Sequence, residues 1–260
     1  MSLRSSIATP AGKQQYVRRL FATIANRYDV ITVLLSYGLD RKWKDRLVRM
    51  AALREQDRVL DVACGTGDVL FRAATTAQTA VGLDVTFRML QLAAAKPRTS
   101  AGHAAGRTAS RPLLVTGDMV ALPFRSADFT VVTTGYGLRN VPDLEGAVDE
   151  IARVLAPGGR LLSLDFNRPA QPWLRVLYLV YLTVVGSMLG FVLHGDPDTY
   201  RYIPESIRNY PGADGVRRLL ESRGFVDVRV VLLLGGLMAI HLAFKPGLER
   251  IDKERENIRV

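Results

Sequence analysis

Short apolar runs alternate with helical stretches through the middle of this 260-residue chain, and that alternation restricts the fold more than any other feature. Arg58-Val-Leu-Asp-Val-Ala63 reads as a strand, Cys64-Gly-Thr-Gly-Asp68 as a tight glycine turn, and the run through Ala77 as a helix. The unit repeats: a strand over 80–84 leads to a helix over 86–96, 113–116 is a third strand, and 129–133 leads to a helix over 143–155. Strands alternating with helices predict a parallel sheet covered on both faces. Pro157-Gly-Gly159 is expected to break the chain before a fifth strand over 160–166. A helix around 216–222 and two β-rich runs, 225–234 and 237–244, complete the pattern.

Ahead of this core, Val17, Leu20, Phe21, Ile24, Tyr28, Ile31, Leu34 and Leu35 recur at three- and four-residue intervals, the period of one amphipathic helix or a broken pair. A further helix is expected over about 40–53. Residues 1–12 hold no apolar core of secretory type and read as a flexible start. The small, polar, basic stretch 97–112 reads as a surface loop, and the charged tail 248–260 as frayed. One domain over 13–247, with a helical insertion at 173–210, accounts for the rest.

A hydrophobic fraction of 48% suffices for a sizeable core. Thirty-five Lys and Arg against 25 Asp and Glu leave a net charge of +10, which favours an anionic partner, nucleic acid or an acidic membrane surface. The single cysteine, Cys64, forbids an intrachain disulfide and a cysteine-cluster metal site, which suits a reducing cytoplasm. Cys64 itself reads as a small packing residue.

Gly65 and Gly67 stand where the first strand hands over to its helix, at the crevice where doubly wound sheets bind ligands. A dinucleotide fingerprint needs a third glycine, but Leu70 occupies that position. Two carboxylates, Asp61 and Asp68, oppose the phosphate that a helix N-terminus otherwise attracts, so a cationic ligand fits better. S-adenosylmethionine, with its sulfonium and ammonium groups, is such a ligand. Asp84 ends the second strand 19 residues after Gly65, the distance at which a carboxylate accepts from a ribose diol. After the third strand, Asp118 can accept from an adenine amino group and Met119 can lie against the ring. Each feature alone is ordinary, since a glycine turn can be only a turn and a strand-ending aspartate a helix cap. Three in strand order point to an adenosyl ligand.

These residues resemble the class I S-adenosylmethionine-dependent methyltransferases, and more narrowly the menaquinone and ubiquinone biosynthesis C-methyltransferases. The resemblance spans 17–245, through Phe21-Ala-Thr-Ile-Ala-Asn-Arg-Tyr-Asp29, Leu35-Ser-Tyr-Gly-Leu-Asp-Arg-Lys-Trp43 and Leu60-Asp-Val-Ala-Cys-Gly-Thr-Gly-Asp68. It continues in Gly135-Tyr-Gly-Leu-Arg-Asn-Val-Pro-Asp143, Gly195-Asp-Pro-Asp-Thr-Tyr-Arg-Tyr202 and Gly235-Gly-Leu-Met-Ala-Ile-His241. It implies a Rossmann-like α/β fold: a seven-stranded, mostly parallel sheet with helices on both faces, N-terminal helices and a helical cap. By position it puts cofactor contacts on Gly65, Thr66, Gly67, Asp84, Asp118 and Met119. Gly135 stands where ubiquinone-branch members often have serine, and Asp165 where the family usually has glutamate.

The implied reaction moves a methyl group from sulfur to a ring carbon of a demethylated isoprenoid quinol, demethylmenaquinol first, with a phylloquinone or ubiquinone precursor as the alternative. It needs a base or bound water near a ring hydroxyl, in-line placement and no metal. Arg139 is expected to stabilise the phenolate and Asn140 to orient a hydroxyl or water; Tyr28 matches the family's substrate-side tyrosine. The plain alternative for Arg139 is a surface ion pair with Asp143. His241 reads as a hydrogen-bonded core group, with acid–base work as the sharper alternative. His103 and His194 read as solvent-facing or structural.

The 18 uncharged residues 176–193 reach the length of a transmembrane helix. Gly186, Ser187 and Gly190 weaken that reading, and a crossing would split the sheet, so a cap helix lining a channel for a lipid tail is expected. Arg168, Arg175, Arg201 and Arg208 would suit anionic headgroups, giving a cytoplasmic protein peripheral to the membrane's inner face. A homo-oligomer is compatible with the sequence. Two competing classes are a noncatalytic quinone- or lipid-binding scaffold, which the cofactor turn argues against, and an RNA methyltransferase, which lacks an aromatic-rich basic stripe and any Asn/Asp-Pro-Pro-Tyr/Phe segment.

Overall fold

The structure is a computed structural model that describes residues 3, 7, 9–36, 38–96 and 111–247. Most of the 97–112 loop, with His103, and the whole 248–260 tail lie outside the described residues. Seven strands form one sheet: β1 (Arg58–Val62), β2 (Thr79–Asp84), β3 (Leu113–Thr116), β4 (Phe129–Gly135), β5 (Leu155–Phe166), β6 (Val226–Leu233) and β7 (Met238–Phe244), in the order β3-β2-β1-β4-β5-β7-β6. The first five pair in parallel, while β7 runs antiparallel to both β5 and β6. The chain leaves β1 first toward β2 and β3, then crosses back to β4, so the switch point of the sheet lies between β1 and β4.

Helices cover both faces because β1 is apolar on both. Leu60 and Val62 face one core, with Met119, Leu138, Val148 and Ile151; Val59 faces the other, with Leu47, Val69, Val131 and Ile240. The helices are α1 (Pro10–Ile24), α2 (Tyr28–Leu35), α3 (Asp40–Ala51), α4 (Asp68–Ala73), α5 (Phe87–Ala95), α6 (Leu144–Val154), α7 (Pro172–His194), α8 (Tyr202–Asn209) and α9 (Gly212–Ser222). The N-terminal periodicity is a broken pair, α1 and α2 separated by a 3₁₀ turn over Ala25–Arg27. Thr9 caps α1, its hydroxyl accepting from Gly12 N at 3.1 Å.

One expectation changes. The fifth strand starts at Leu155 rather than after Pro157-Gly-Gly159, because an irregularity opposite Phe129 and Val131 lets β5 run through that segment. A Cβ on Gly159 would sit 2.8 Å from Ala156 O, so only glycine passes there. After α7, α8 buries Tyr202, Ser206 and Ile207.

α7 is long and apolar enough to cross a membrane by length and composition. One side packs inward through Tyr178, Leu179, Leu182, Gly186 and Gly190. The small residues have a packing reason, since a Cβ on Gly190 would lie 2.5 Å from Asp196 O and one on Gly186 3.3 Å from Tyr200 Cβ. The other side exposes Trp173, Val176, Leu177, Val180, Val184, Met188, Phe191 and Val192, each 55–70% open to solvent.

Candidate functional site

The carboxyl ends of β1, β2, β3 and β4 supply four loops that converge under α1. There the residue after β1, Ala63, holds φ 52°, and Gly65 and Gly67 follow at 55° and 84°, so the turn folds back over the sheet end. A cavity of about 80 Å³ opens there, lined among others by Gly65, Asp84, Asp118, Met119, Gly135 and Asn140. Asp84 pins the turn: its two oxygens accept from Gly65 N and Thr86 N, each at 2.8 Å. Burial pushes its carboxyl upward. Asp118 accepts from Val120 N at 3.1 Å and from the amide of Gln14 in α1. Lys13, one residue earlier, donates to Val141 O at 2.5 Å and Arg139 O at 3.3 Å. Burial first, then the nearby Arg139, lowers the Lys13 ammonium to about 8. α1 is therefore strapped across this cavity at both rims.

The other glycine-turn residues sit differently. Thr66 is buried and donates to Asp29 Oδ1 at 2.6 Å; Asp61 lies under the turn, accepting from Thr133 Oγ1 at 2.7 Å. Neither lines the cavity, and neither does Gly67, whose missing side chain makes room for Phe71. Burial pushes Asp61 up to about 7. Asp68 is bound by two cations, Lys44 at 3.0 Å and Lys96 at 2.8 Å. Cys64 packs beside Gly82, where a Cβ would come within 2.8 Å of its sulfur.

A second cavity, of about 370 Å³, lies between α1, α2, α7, α8 and the end of the sheet. Its lining is apolar and aromatic, with Ile24, Ile31, Trp43, Phe166, Leu174 and Tyr181 among the residues, and Leu177 carries it out to the exposed face of α7. Its polar wall is Arg139, Asn140, Tyr136, Tyr28 and Tyr202. Phe21, Tyr28, Tyr136 and Asn140 line both cavities. The structure thus brings together Tyr28, Arg139 and Asn140, and beside them Gly65, Asp84, Asp118 and Met119.

Arg139 is buried rather than at the surface. Its backbone N and Nε donate to Asp165 at 3.0 and 3.2 Å, its other nitrogen reaches Ser206 Oγ, and its guanidinium lies 5.0 Å from the Phe166 ring centre. Asp143, the alternative partner, instead caps α6, accepting from Gly146 N at 2.9 Å. Asn140 Nδ2 donates to Tyr136 O at 2.8 Å, and Asn140 Oδ1 is buried with no partner among the described residues; the Tyr202 hydroxyl is in the same condition. Such groups cost free energy unless a ligand or water meets them.

His241 lies inside β7, with Nδ1 3.2 Å from Ser163 Oγ and Nε2 3.0 Å from Ala213 O, and it touches neither cavity. It is a core group. His194 Nε2 lies 2.8 Å from the Tyr200 hydroxyl, a structural contact at the end of α7.

Sequence reasoning missed Asp165 as the anchor of Arg139, Asp40 as the partner of Tyr136, and the strap made by Lys13 and Gln14. Only Tyr136 carried a local signal, a bulky residue between two glycines at a strand end.

Among solved structures, a possible histamine N-methyltransferase from Thermotoga maritima shares the fold at TM-score 0.60 with 16% identity, covering 88% of this chain and 99% of its own. So does a magnesium protoporphyrin IX methyltransferase from Synechocystis with bound SAH, at TM-score 0.60 and 16% identity over 89% of this chain and 99% of its own. Demethylmenaquinone methyltransferase of Roseiflexus castenholzii is 35% identical over 238 residues, 92% of this chain and 97% of the relative. Its namesake in Staphylococcus aureus strain JH9 is 34% identical, over 90% and 95%. The profile of the ubiE/COQ5 methyltransferase family matches residues 10–245, and this chain belongs to that family.

Proposed function

We propose that this enzyme transfers the methyl group of S-adenosylmethionine to a ring carbon of a demethylated isoprenoid quinol, demethylmenaquinol first. The observation that carries the reading is the shared wall: a small cavity with two carboxylates and a larger apolar one meet at Phe21, Tyr28, Tyr136 and Asn140. Two reactants held on either side of one junction react as a single molecule would. The names of the two relatives support the quinol.

The residues of the small cavity suit the cofactor. Asp84 and Asp118 are acceptors for ribose hydroxyls and an adenine amino group, Leu83 and Met119 offer apolar contact, and bare backbone at Gly65 and Gly135 leaves room near the junction. Thr66, Gly67 and Asp61 would act by shaping the turn. The chemistry that S-adenosylmethionine supplies when bound is an electrophilic methyl group on a positively charged sulfur.

The chain's own residues do the rest. A ring hydroxyl that loses its proton makes the neighbouring carbon nucleophilic, Arg139 stabilises the resulting phenolate from a position fixed by Asp165 and Ser206, and the methylated carbon then releases its own hydrogen as a proton to restore the aromatic ring. The unpartnered Asn140 Oδ1 accepts from a ring hydroxyl or a bound water. Tyr28 and Phe21 close the junction against bulk water.

The apolar cavity opens at Leu177 onto the exposed apolar side of α7, and α2 also exposes Val30, Val33 and Leu34. An apolar surface of this extent, continuous with a channel for a lipid tail, supports docking on a bilayer from the cytoplasmic side. Arg168 and Arg175 make hydrogen bonds to carbonyl oxygens and keep their charge for headgroups, whereas Arg201 and Arg208 pair with Asp198 and Glu205.

Incubation with labelled S-adenosylmethionine and a panel of demethylated naphthoquinols, benzoquinols and bulk RNA tests the reading. Label is expected in a demethylated naphthoquinol. Label in RNA alone, or in none of the panel, contradicts it.

A further inference from the structure

The reaction above requires a proton to leave a ring hydroxyl in a cavity that is mostly apolar, and Arg139, a permanent cation, does not accept it. One carboxylate stands behind the shared wall. Asp40 is the first residue of α3 and is 2% exposed. Its Oδ1 accepts from the Tyr136 hydroxyl at 2.7 Å, and its Oδ2 pairs with Lys44 at 2.7 Å. Tyr136 lines both cavities. It also sits at φ 63°, a left-handed conformation that a bulky side chain adopts only under constraint, with Gly135 and Gly137 on either side. The fold thus holds this ring against its backbone preference, with the hydroxyl on a buried carboxylate.

We propose that the Tyr136 hydroxyl relays the substrate's hydroxyl proton to Asp40, the terminal acceptor, as the ring carbon becomes nucleophilic; this rests on the quinol reading. The substrate O–H bond breaks as a new O–H bond forms on Tyr136. The former Tyr136 proton passes to Asp40 Oδ1, and the electron pair left on the substrate oxygen conjugates into the ring. Lys44 bridges Asp40 at 2.7 Å and Asp68 at 3.0 Å, and Asp68, 29% exposed, leads toward solvent. The groups facing this pair are Lys44 from α3, Tyr28 from α2 and Asp165 from β5. Burial and the Asp40 charge hold both the Tyr136 and Tyr28 hydroxyls protonated at neutral pH, as a relay requires.

Tyr136→Phe, Asp40→Asn and the double variant test this. Tyr136→Phe is expected to lower kcat about a hundredfold at neutral pH, with the deficit shrinking as alkali ionises the substrate unaided. Its cofactor affinity, read by calorimetry, should stay near the wild type, while its melting temperature falls by a few degrees because Asp40 Oδ1 loses a buried partner. Because the two residues serve one path, the double variant should be no slower than the slower single variant. Losses that multiply, a deficit that persists at high pH, or a Tyr136→Phe enzyme with wild-type kcat would overturn the relay. If Asp40→Asn does not fold, the pH profile of Tyr136→Phe decides alone. A wild-type enzyme that methylates no quinol contradicts the quinol reading and the relay with it; an active wild type matched by Tyr136→Phe contradicts the relay only.

Discussion

Arg139 binds Asp165 twice, through its backbone N at 3.0 Å and its Nε at 3.2 Å, although 26 residues separate the two. Both side chains are almost fully buried, so neither charge can be removed alone without leaving the other uncompensated. Asp165→Ala should destabilise the fold by about 3–5 kcal/mol in urea denaturation. Arg139→Lys keeps the charge but loses the planar fork, so it should retain fold and cofactor affinity while kcat falls roughly a hundredfold. Full turnover in the lysine variant would exclude Arg139 from phenolate stabilisation.

Asp84 has two duties on one carboxylate, holding Gly65 N and Thr86 N and facing the small cavity. Asp84→Asn turns one acceptor into a donor aimed at a backbone N–H. Titration calorimetry should show S-adenosylmethionine bound about ten- to a hundredfold more weakly, with kcat at saturating cofactor little changed. Unaltered affinity would remove Asp84 from the cofactor site.

Asp68 gives the fold a defined acid sensitivity. Burial opposes its ionisation, but Lys44 and Lys96 outweigh burial and hold its carboxyl down to about 2. A carboxyl depressed in the folded state stabilises above its unfolded value near 3.8, and that stability is lost as pH falls from there toward 2. Asp68→Asn should therefore be less stable than the wild type at neutral pH, with the gap closing in urea titrations between pH 4 and 2. A gap independent of pH would contradict the assignment.

The exposed side of α7 predicts bilayer binding. Trp173→Ser combined with Phe191→Ser removes two side chains that are 69% and 66% exposed, so the fold should be unaffected. Co-flotation with anionic liposomes should fall sharply, and activity on a long-tailed quinol should fall more than activity on a short-tailed one. Wild-type protein that stays out of the floated fraction at low salt would end the membrane reading.

The sheet was legible because strands buried on both faces leave dense apolar runs, and six of the seven lie within a few residues of their expected bounds. β5 was cut short because Pro157-Gly-Gly159 looks like a stop, while the irregular pairing opposite Phe129 that carries the strand through is a two-strand property. At the site, sequence order identified the loops at the crevice but not where their side chains point: Asp84 and Asp118 face the cavity, whereas Thr66 and Asp61 turn to Asp29 and Thr133. Arg139 was weighed against Asp143, four residues away, because its actual partner comes from the next strand. The Tyr136–Asp40 contact spans 96 residues, and no local pattern announces it.

The central claim is that a methyl group reaches a ring carbon beside a hydroxyl held between Arg139 and Asn140. The most direct measurement is the NMR spectrum of the product formed from ¹³C-methyl S-adenosylmethionine and a demethylated naphthoquinol. The account predicts one enriched signal at the shift of a methyl on an aromatic or quinone carbon, with the neighbouring ring proton gone. An enriched signal at the shift of a methoxy group, or a labelled nucleic acid in place of a labelled quinone, would contradict it.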